Sequence, residues 1–64
     1  MKYTIFTNVE IFRFKPGEGI DTNRITFSDG CISFKIKFPD SYGAGKTVNF
    51  IIPYDKINYI EEYV

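Results

Sequence analysis

The sequence predicts an all-β protein, a small five-stranded antiparallel barrel formed by one domain over residues 1–64. Composition, hydrophobic period and one turn carry that prediction. Ten isoleucines, seven phenylalanines, five tyrosines, five threonines and three valines occupy thirty of the sixty-four positions, while leucine and glutamine are absent and alanine and methionine occur once each. Residues enriched in strands therefore dominate, and the best helix formers are nearly missing. Apolar and polar residues alternate with period two between clusters of Pro, Gly, Asp and Ser, as half-buried strands require. Asp29-Gly30 stands between two such alternating runs, the strongest short signal for a hairpin.

Each element follows from the punctuation at Pro16–Gly19, Ser28–Gly30, Pro39–Gly45 and Pro53. Residues 2–15 alternate with Tyr3, Ile5, Val9 and Ile11 on one face. The phase then flips, placing Phe12 and Phe14 together with Arg13 and Lys15 opposite, so a bulge or sharp bend is expected near Glu10–Phe12. Gly17-Glu18-Gly19 reads as a turn, and Asp21 to Asn23 as a capping or Asx-turn cluster. A type I′ turn at Asp29-Gly30, with positive φ at both residues, sets Ser28 opposite Cys31, Phe27 opposite Ile32, Thr26 opposite Ser33 and Ile25 opposite Phe34. Apolar then meets apolar, so the turn and the pattern demand the same register. Ile36 and Phe38 continue the inward face, and Ser33, Lys35 and Lys37 point outward.

A further strand runs through Val48, Phe50 and Ile52 and stops at Pro53. The following segment has two readings. Ile57, Ile60 and Val64 fit one helical face with Asp55 as N-cap; alternatively a short helical turn near residues 53–57 leads into a strand over Asn58–Tyr63. The β-branched and tyrosine content favours the strand. A long bent strand, a hairpin, a strand, a short turn and a last strand resemble the small barrels of the SH3-like and Sm-like type, or an OB-like barrel without its helix. Architecture of this kind assigns no function.

Eight basic and eight acidic residues give zero formal charge, which argues against wrapping duplex DNA or coating an anionic membrane. The longest apolar run, Phe50-Ile51-Ile52, is far short of the roughly 20 residues of a membrane span, and no signal-peptide pattern follows Met1. One cysteine cannot form an internal disulfide, so the expected setting is the reduced cytoplasm. Absence of histidine removes the commonest general base and metal ligand together.

Little else supports chemistry. Gly43-Ala44-Gly45-Lys46-Thr47 looks like the end of a phosphate-binding loop, but Asp40 stands where that loop needs its first glycine, and a strand pattern follows instead of a helix. Cys31 faces outward with no histidine to activate it, and the adjacent Glu61 and Glu62 point to opposite faces of a strand. The expectation is a non-enzyme with no cofactor and no metal site.

Binding readings remain. Arg24, Lys35 and Lys37 share the outer face of the hairpin, with Tyr42 and Lys46 in the next loop, an arrangement compatible with single-stranded nucleic acid. The length also suits a cold-shock domain, although the glycine- and histidine-containing aromatic runs of those domains are missing. The net charge of zero hides a partition: residues 24–46 carry +2 (four basic, two acidic) and residues 47–64 carry −2 (one basic, three acidic). Tyr54, Tyr59 and Tyr63 exceed what so small a core can bury, and exposed tyrosines are enriched at protein contacts. The leading expectation is a non-catalytic module that docks on a larger host or cognate protein through Arg24, Lys35, Lys37, Tyr42, Tyr59 and Tyr63, with self-association as a further expectation. Small chains without catalytic residues are often inhibitors or accessory regulators encoded by phages or mobile elements. Single-stranded nucleic-acid binding is the alternative.

Overall fold

A computed structural model describes residues 1–11, 13–39 and 45–64. Among the described residues six strands appear in chain order: β1 (Lys2–Thr7), β2 (Gly19–Thr22), β3 (Thr26–Ser28), β4 (Cys31–Lys37), β5 (Thr47–Pro53) and β6 (Ile57–Tyr63), with a 3-10 turn at Tyr54–Lys56 before β6. They form two three-stranded antiparallel sheets, ordered β2-β1-β6 and β3-β4-β5. The all-β class therefore holds. Among the described residues no ladder joins the two sheets into a closed barrel.

The two sheets bury their inner faces against each other. Ile5 and Ile20 from the first sheet meet Ile32, Phe34 and Ile52 from the second in one core cluster. Each comes from an inward position of its strand, and burying such a side chain is worth about 1.5–3 kcal/mol. Phe50 ties the inner face of the second sheet together, stacked 5.6 Å from Phe34 and edge-on 6.3 Å from Phe38.

The hairpin ladder pairs Thr26 with Ser33, Phe27 with Ile32 and Ser28 with Cys31, the register expected from the sequence. Ile25 precedes the ladder and packs on the core instead. The turn itself differs from a type I′ turn: Gly30 has φ +83°, whereas Asp29 does not enter the positive-φ region. Its tip is anchored to the 3-10 turn, because the Tyr54 N–H donates to the Gly30 carbonyl (3.2 Å) and the Tyr54 hydroxyl to the Ser28 carbonyl (2.6 Å). Ile57–Tyr63 is a strand, so the helical reading of the tail is excluded.

Two expectations require correction. The first strand ends at Thr7 and does not run to residue 15. Beyond it the chain makes an excursion closed by the Gly17 N–H on the Thr7 carbonyl, with a tight reversal where Ile11 and Phe14 exchange backbone hydrogen bonds and Arg13 takes φ +77°. Val9, Ile11 and Phe14 still reach the core, which is why the apolar pattern continued without a strand. Phe12, part of the expected bend, lies outside the described residues. The ladder irregularity falls instead at Phe6/Thr7, opposite Asn58. Second, Gly19–Thr22 is a strand. The expected turn is confined to Lys15–Glu18, where the Glu18 N–H donates to the Lys15 carbonyl and Gly17 has φ +86°. The expected cap is confined to the Thr22 hydroxyl, which accepts from the Arg24 N–H. Ile20 and Thr22 are buried, and that burial overrides the local turn preference of Gly, Asp and Thr. The corner between sheets lies at residues 23–25, between β2 and β3.

Candidate interaction surfaces

The outer face of the β2-β1-β6 sheet is built by strand parity. Ile5 pairs with Ile20 and Ile60 on the inside, so Thr4 and Phe6 of β1, Gly19 and Asp21 of β2, and Tyr59 and Glu61 of β6 face outward. Asn58 is the extra residue in the ladder. Its bulge lets both Ile57 and Ile60, three positions apart, turn toward the core while Tyr59 and Tyr63 turn out.

Phe6 and Tyr59 stack on this face with ring centroids 4.5 Å apart and planes at 20°. The Phe6 ring also lies over Gly19, whose missing side chain leaves it room: a Cβ there would sit 3.1 Å from Phe6 Cε1 and 2.6 Å from Thr4 Cγ2. Polar groups surround the stack. The Thr4 hydroxyl donates to Asp21 Oδ1 (2.8 Å), Lys2 Nζ lies 3.7 Å from Asp21 Oδ2, and the Tyr63 hydroxyl donates to Glu61 Oε1 (2.8 Å). A shallow groove of about 400 Å³ runs among Lys2, Thr4, Phe6, Asp21, Glu61 and Tyr63. Donation to Glu61 raises the Tyr63 phenol above its ordinary range, and donation to Glu62 does the same for Tyr3, with burial and the carboxylate charge adding in both cases.

A second groove of about 660 Å³ crosses the outer side of β3 and β4, and Arg24, Lys35 and Lys37 line it with Thr26, Ser33 and Asn49. The Thr22 hydroxyl holds the corner that brings Arg24 there, donating to the Arg24 carbonyl (3.2 Å) and accepting from the Arg24 N–H (3.4 Å). Among the described residues no ion pair engages Arg24, Lys35 or Lys37. The groove's aromatic ring, Phe34, is buried and belongs to the core.

The residues expected to form one partner surface thus divide. Arg24, Lys35 and Lys37 come together on one sheet; Tyr59 and Tyr63 lie on the other; Asp21 borders both grooves. Tyr42 lies outside the described residues, as do Gly43 and Ala44 of the phosphate-loop-like string, whose Thr47 opens β5. Phe6 is half-buried on this face, and the signal for its place there is the parity it shares with Lys2 and Thr4. Among the described residues no group of three or more His, Cys, Asp or Glu side chains could hold a metal ion. No helix of the described residues is long and apolar enough to cross a membrane.

What this geometry defines is a small all-β protein with an aromatic face on one sheet and a cationic groove on the other. No family of known proteins, no curated protein and no solved structure matches the chain.

Proposed function

We propose that this chain is a non-catalytic binding module that docks on a larger protein through the outer face of the β2-β1-β6 sheet. We read its architecture as a five-stranded barrel of the SH3-like, Sm-like or OB-like type, counting β2 and β3 as one strand bent across both sheets, which reduces six strands to five. The observation that carries the functional reading is the Phe6–Tyr59 stack. Two rings on a solvent-facing sheet face, with Tyr59 54% and Tyr63 52% exposed, form a rigid apolar platform, and Lys2, Asp21 and Glu61 make its polar rim. Aromatic centres with polar rims are the usual anatomy of protein contacts. A standard interface takes about 800 Å² per partner; the whole chain exposes 4521 Å², so one sheet face provides an area of that order. The role that suits such a module is that of an inhibitor or accessory regulator, phage- or mobile-element-encoded, acting in the cytoplasm.

The test is capture from the native host with three baits: wild type, Tyr59→Ala with Tyr63→Ala, and Lys35→Ala with Lys37→Ala. One protein retained by the first and third baits and lost by the second supports the reading. Equal retention by all three overturns it.

A second reading rests on the cationic groove. Three cations without ion-pair partners among the described residues could follow the backbone of a single-stranded nucleic acid. Such binders also stack bases on exposed aromatics; Phe27 of β3 is 58% exposed but has the opposite parity to Thr26, which lines the groove, and Tyr59 and Tyr63 belong to the other sheet. Titration with oligonucleotides at low salt decides it: the groove reading requires binding that falls steeply with salt and is lost on Lys35→Ala with Lys37→Ala.

A further inference from the structure

A strand at the edge of a sheet offers unpaired N–H and C=O groups to any other chain, and proteins protect such edges by shortness, charge or bulges. Three of the four edges here are protected in these ways. β3 has only three residues; β2 has four and carries Asp21; β6 carries Glu61 and Glu62 and is bulged at Asn58. β5 has only one such device, Pro53 at its end, which offers no N–H. Its seven residues, Thr47–Pro53, hold no charge, and its ladder with β4 runs from Thr47 to Pro53 without a break in register. Among the described residues no strand pairs with its other edge, and Ile51 is 65% exposed.

We propose that this edge is occupied by the β5 strand of a second copy of the chain, antiparallel about a two-fold axis at Phe50. That axis is the one that pairs the full length of both strands. It sets Phe50 opposite Phe50 of the second copy and Val48 opposite Ile52, so that the inward faces of the two sheets continue into each other; on the outer face Asn49 meets Ile51. Slipping by one residue would turn the apolar face of one copy outward. The absence of charge favours the same occupant. A β5 strand brings no charge to an uncharged edge, whereas β2 or β6 would bring Asp21 or the two glutamates. The lysines are also kept apart: Lys35 pairs with Asn49 and Ser33 with Ile51, so each row of the joined sheet runs Lys35, Asn49, then Ile51 and Ser33 of the second copy. The contact is independent of the docking face proposed above. It leaves Phe6, Tyr59 and Tyr63 free on both copies, and a dimer would present that face twice.

Sedimentation of the full chain up to about 1 mM, where even a weak specific contact populates a dimer, tests the pairing. The expected result is a concentration-dependent dimer and nothing larger. Asn49 and Ile51 are both exposed, so a charge exchange can be read without disturbing the core. Asn49→Lys with Ile51→Lys places lysine opposite lysine on both sides of the axis, whereas Asn49→Lys with Ile51→Glu places lysine opposite glutamate. The Kd of the first variant is expected to exceed that of the second by about tenfold or more. A wild-type chain that stays monomeric at about 1 mM, an assembly larger than a dimer, or equal dimerisation by the two variants overturns the proposal. If either variant fails to fold, amide exchange on the wild type decides: protection within β5 must rise with concentration, and unchanged protection refutes the pairing.

Discussion

Gly19→Ala is the sharpest test of how the aromatic face is held. Gly19 lies in β2 without the positive φ that would demand glycine, so its backbone alone would tolerate alanine and gain about 0.4–1 kcal/mol from a less flexible unfolded chain. The surroundings oppose this. The new Cβ would stand 2.6 Å from Thr4 Cγ2 and 3.1 and 3.3 Å from two Phe6 ring carbons. Thr4 is buried and its hydroxyl is bonded to Asp21, so rotating it away forfeits that hydrogen bond; Phe6 can retreat only by sliding off Tyr59. Overpacking costs about 1–3 kcal/mol, and a contact of 2.6 Å puts this case in the upper half of that range, so a net destabilisation of about 1–2 kcal/mol remains after subtracting a gain of up to about 1 kcal/mol. For a chain of this size each kcal/mol moves Tm by about 4–8 °C, so a fall of roughly 5–15 °C is expected. Urea unfolding followed by tyrosine fluorescence should show a lower midpoint at unchanged slope. Thr4→Ser removes the methyl at the closest contact and keeps the hydroxyl, so in that background Gly19→Ala should lose most of its cost. A Gly19→Ala protein as stable as wild type, or an undiminished cost in the Thr4→Ser background, would refute the reasoning.

Ile32 is fully buried at the meeting of the two sheets, so Ile32→Ala should cost about 2–5 kcal/mol. Total stability is expected to be only about 3–10 kcal/mol for this length, so the melt followed by circular dichroism should fall by roughly 10–40 °C, whereas Ile51→Ala at an exposed position should leave it nearly unchanged. Tyr54→Phe removes the hydroxyl donated to Ser28 and should cost about 0.5–1 kcal/mol, with faster amide exchange at Asp29 and Gly30 as the local sign. The phenols of Tyr3 and Tyr63 are raised in the folded chain, so their contribution is complete below the ordinary tyrosine range and is lost as pH climbs through the raised values. Urea midpoints measured from neutral into alkaline pH should therefore decline, and Tyr3→Phe with Tyr63→Phe should flatten that decline.

The parts of the fold legible in the sequence are those where two local signals agree. Asp29-Gly30 and the parity of Phe27 and Ile32 each specify the same hairpin, and the ladder has that register. The same parity placed Lys35 and Lys37 outward, which is why the cationic groove could be anticipated. Legibility fails where distant residues decide. Gly19, Asp21 and Thr22 are locally turn-like, and only their pairing with Phe6, Thr4 and Tyr3 makes them a strand. Val9 and Ile11 alternate like strand residues but reach the core from an excursion outside the sheet. Tyr59 and Tyr63 were foreseen as exposed; their separation from Arg24, Lys35 and Lys37 onto another sheet follows from the corner at residues 23–25, which no residue pattern announces. The stacking role of Phe6 is not legible locally, because it depends on two partners far along the chain, Gly19 and Tyr59.

The central position of β1 in its sheet sets an order of events in folding. Ser28 needs to reach only Cys31 to begin the β3–β4 hairpin, whereas Lys2 must find Tyr63. Closing the larger loop costs more chain entropy and is the slower step. The β3-β4-β5 sheet can therefore assemble early, and β1 with β6 comes last. The Phe6–Tyr59 stack takes one ring from each of these late partners. It cannot exist in a half-folded chain, so a partner of the kind proposed above would engage only molecules that have completed folding, and its binding would double as a check that the last strand is in place.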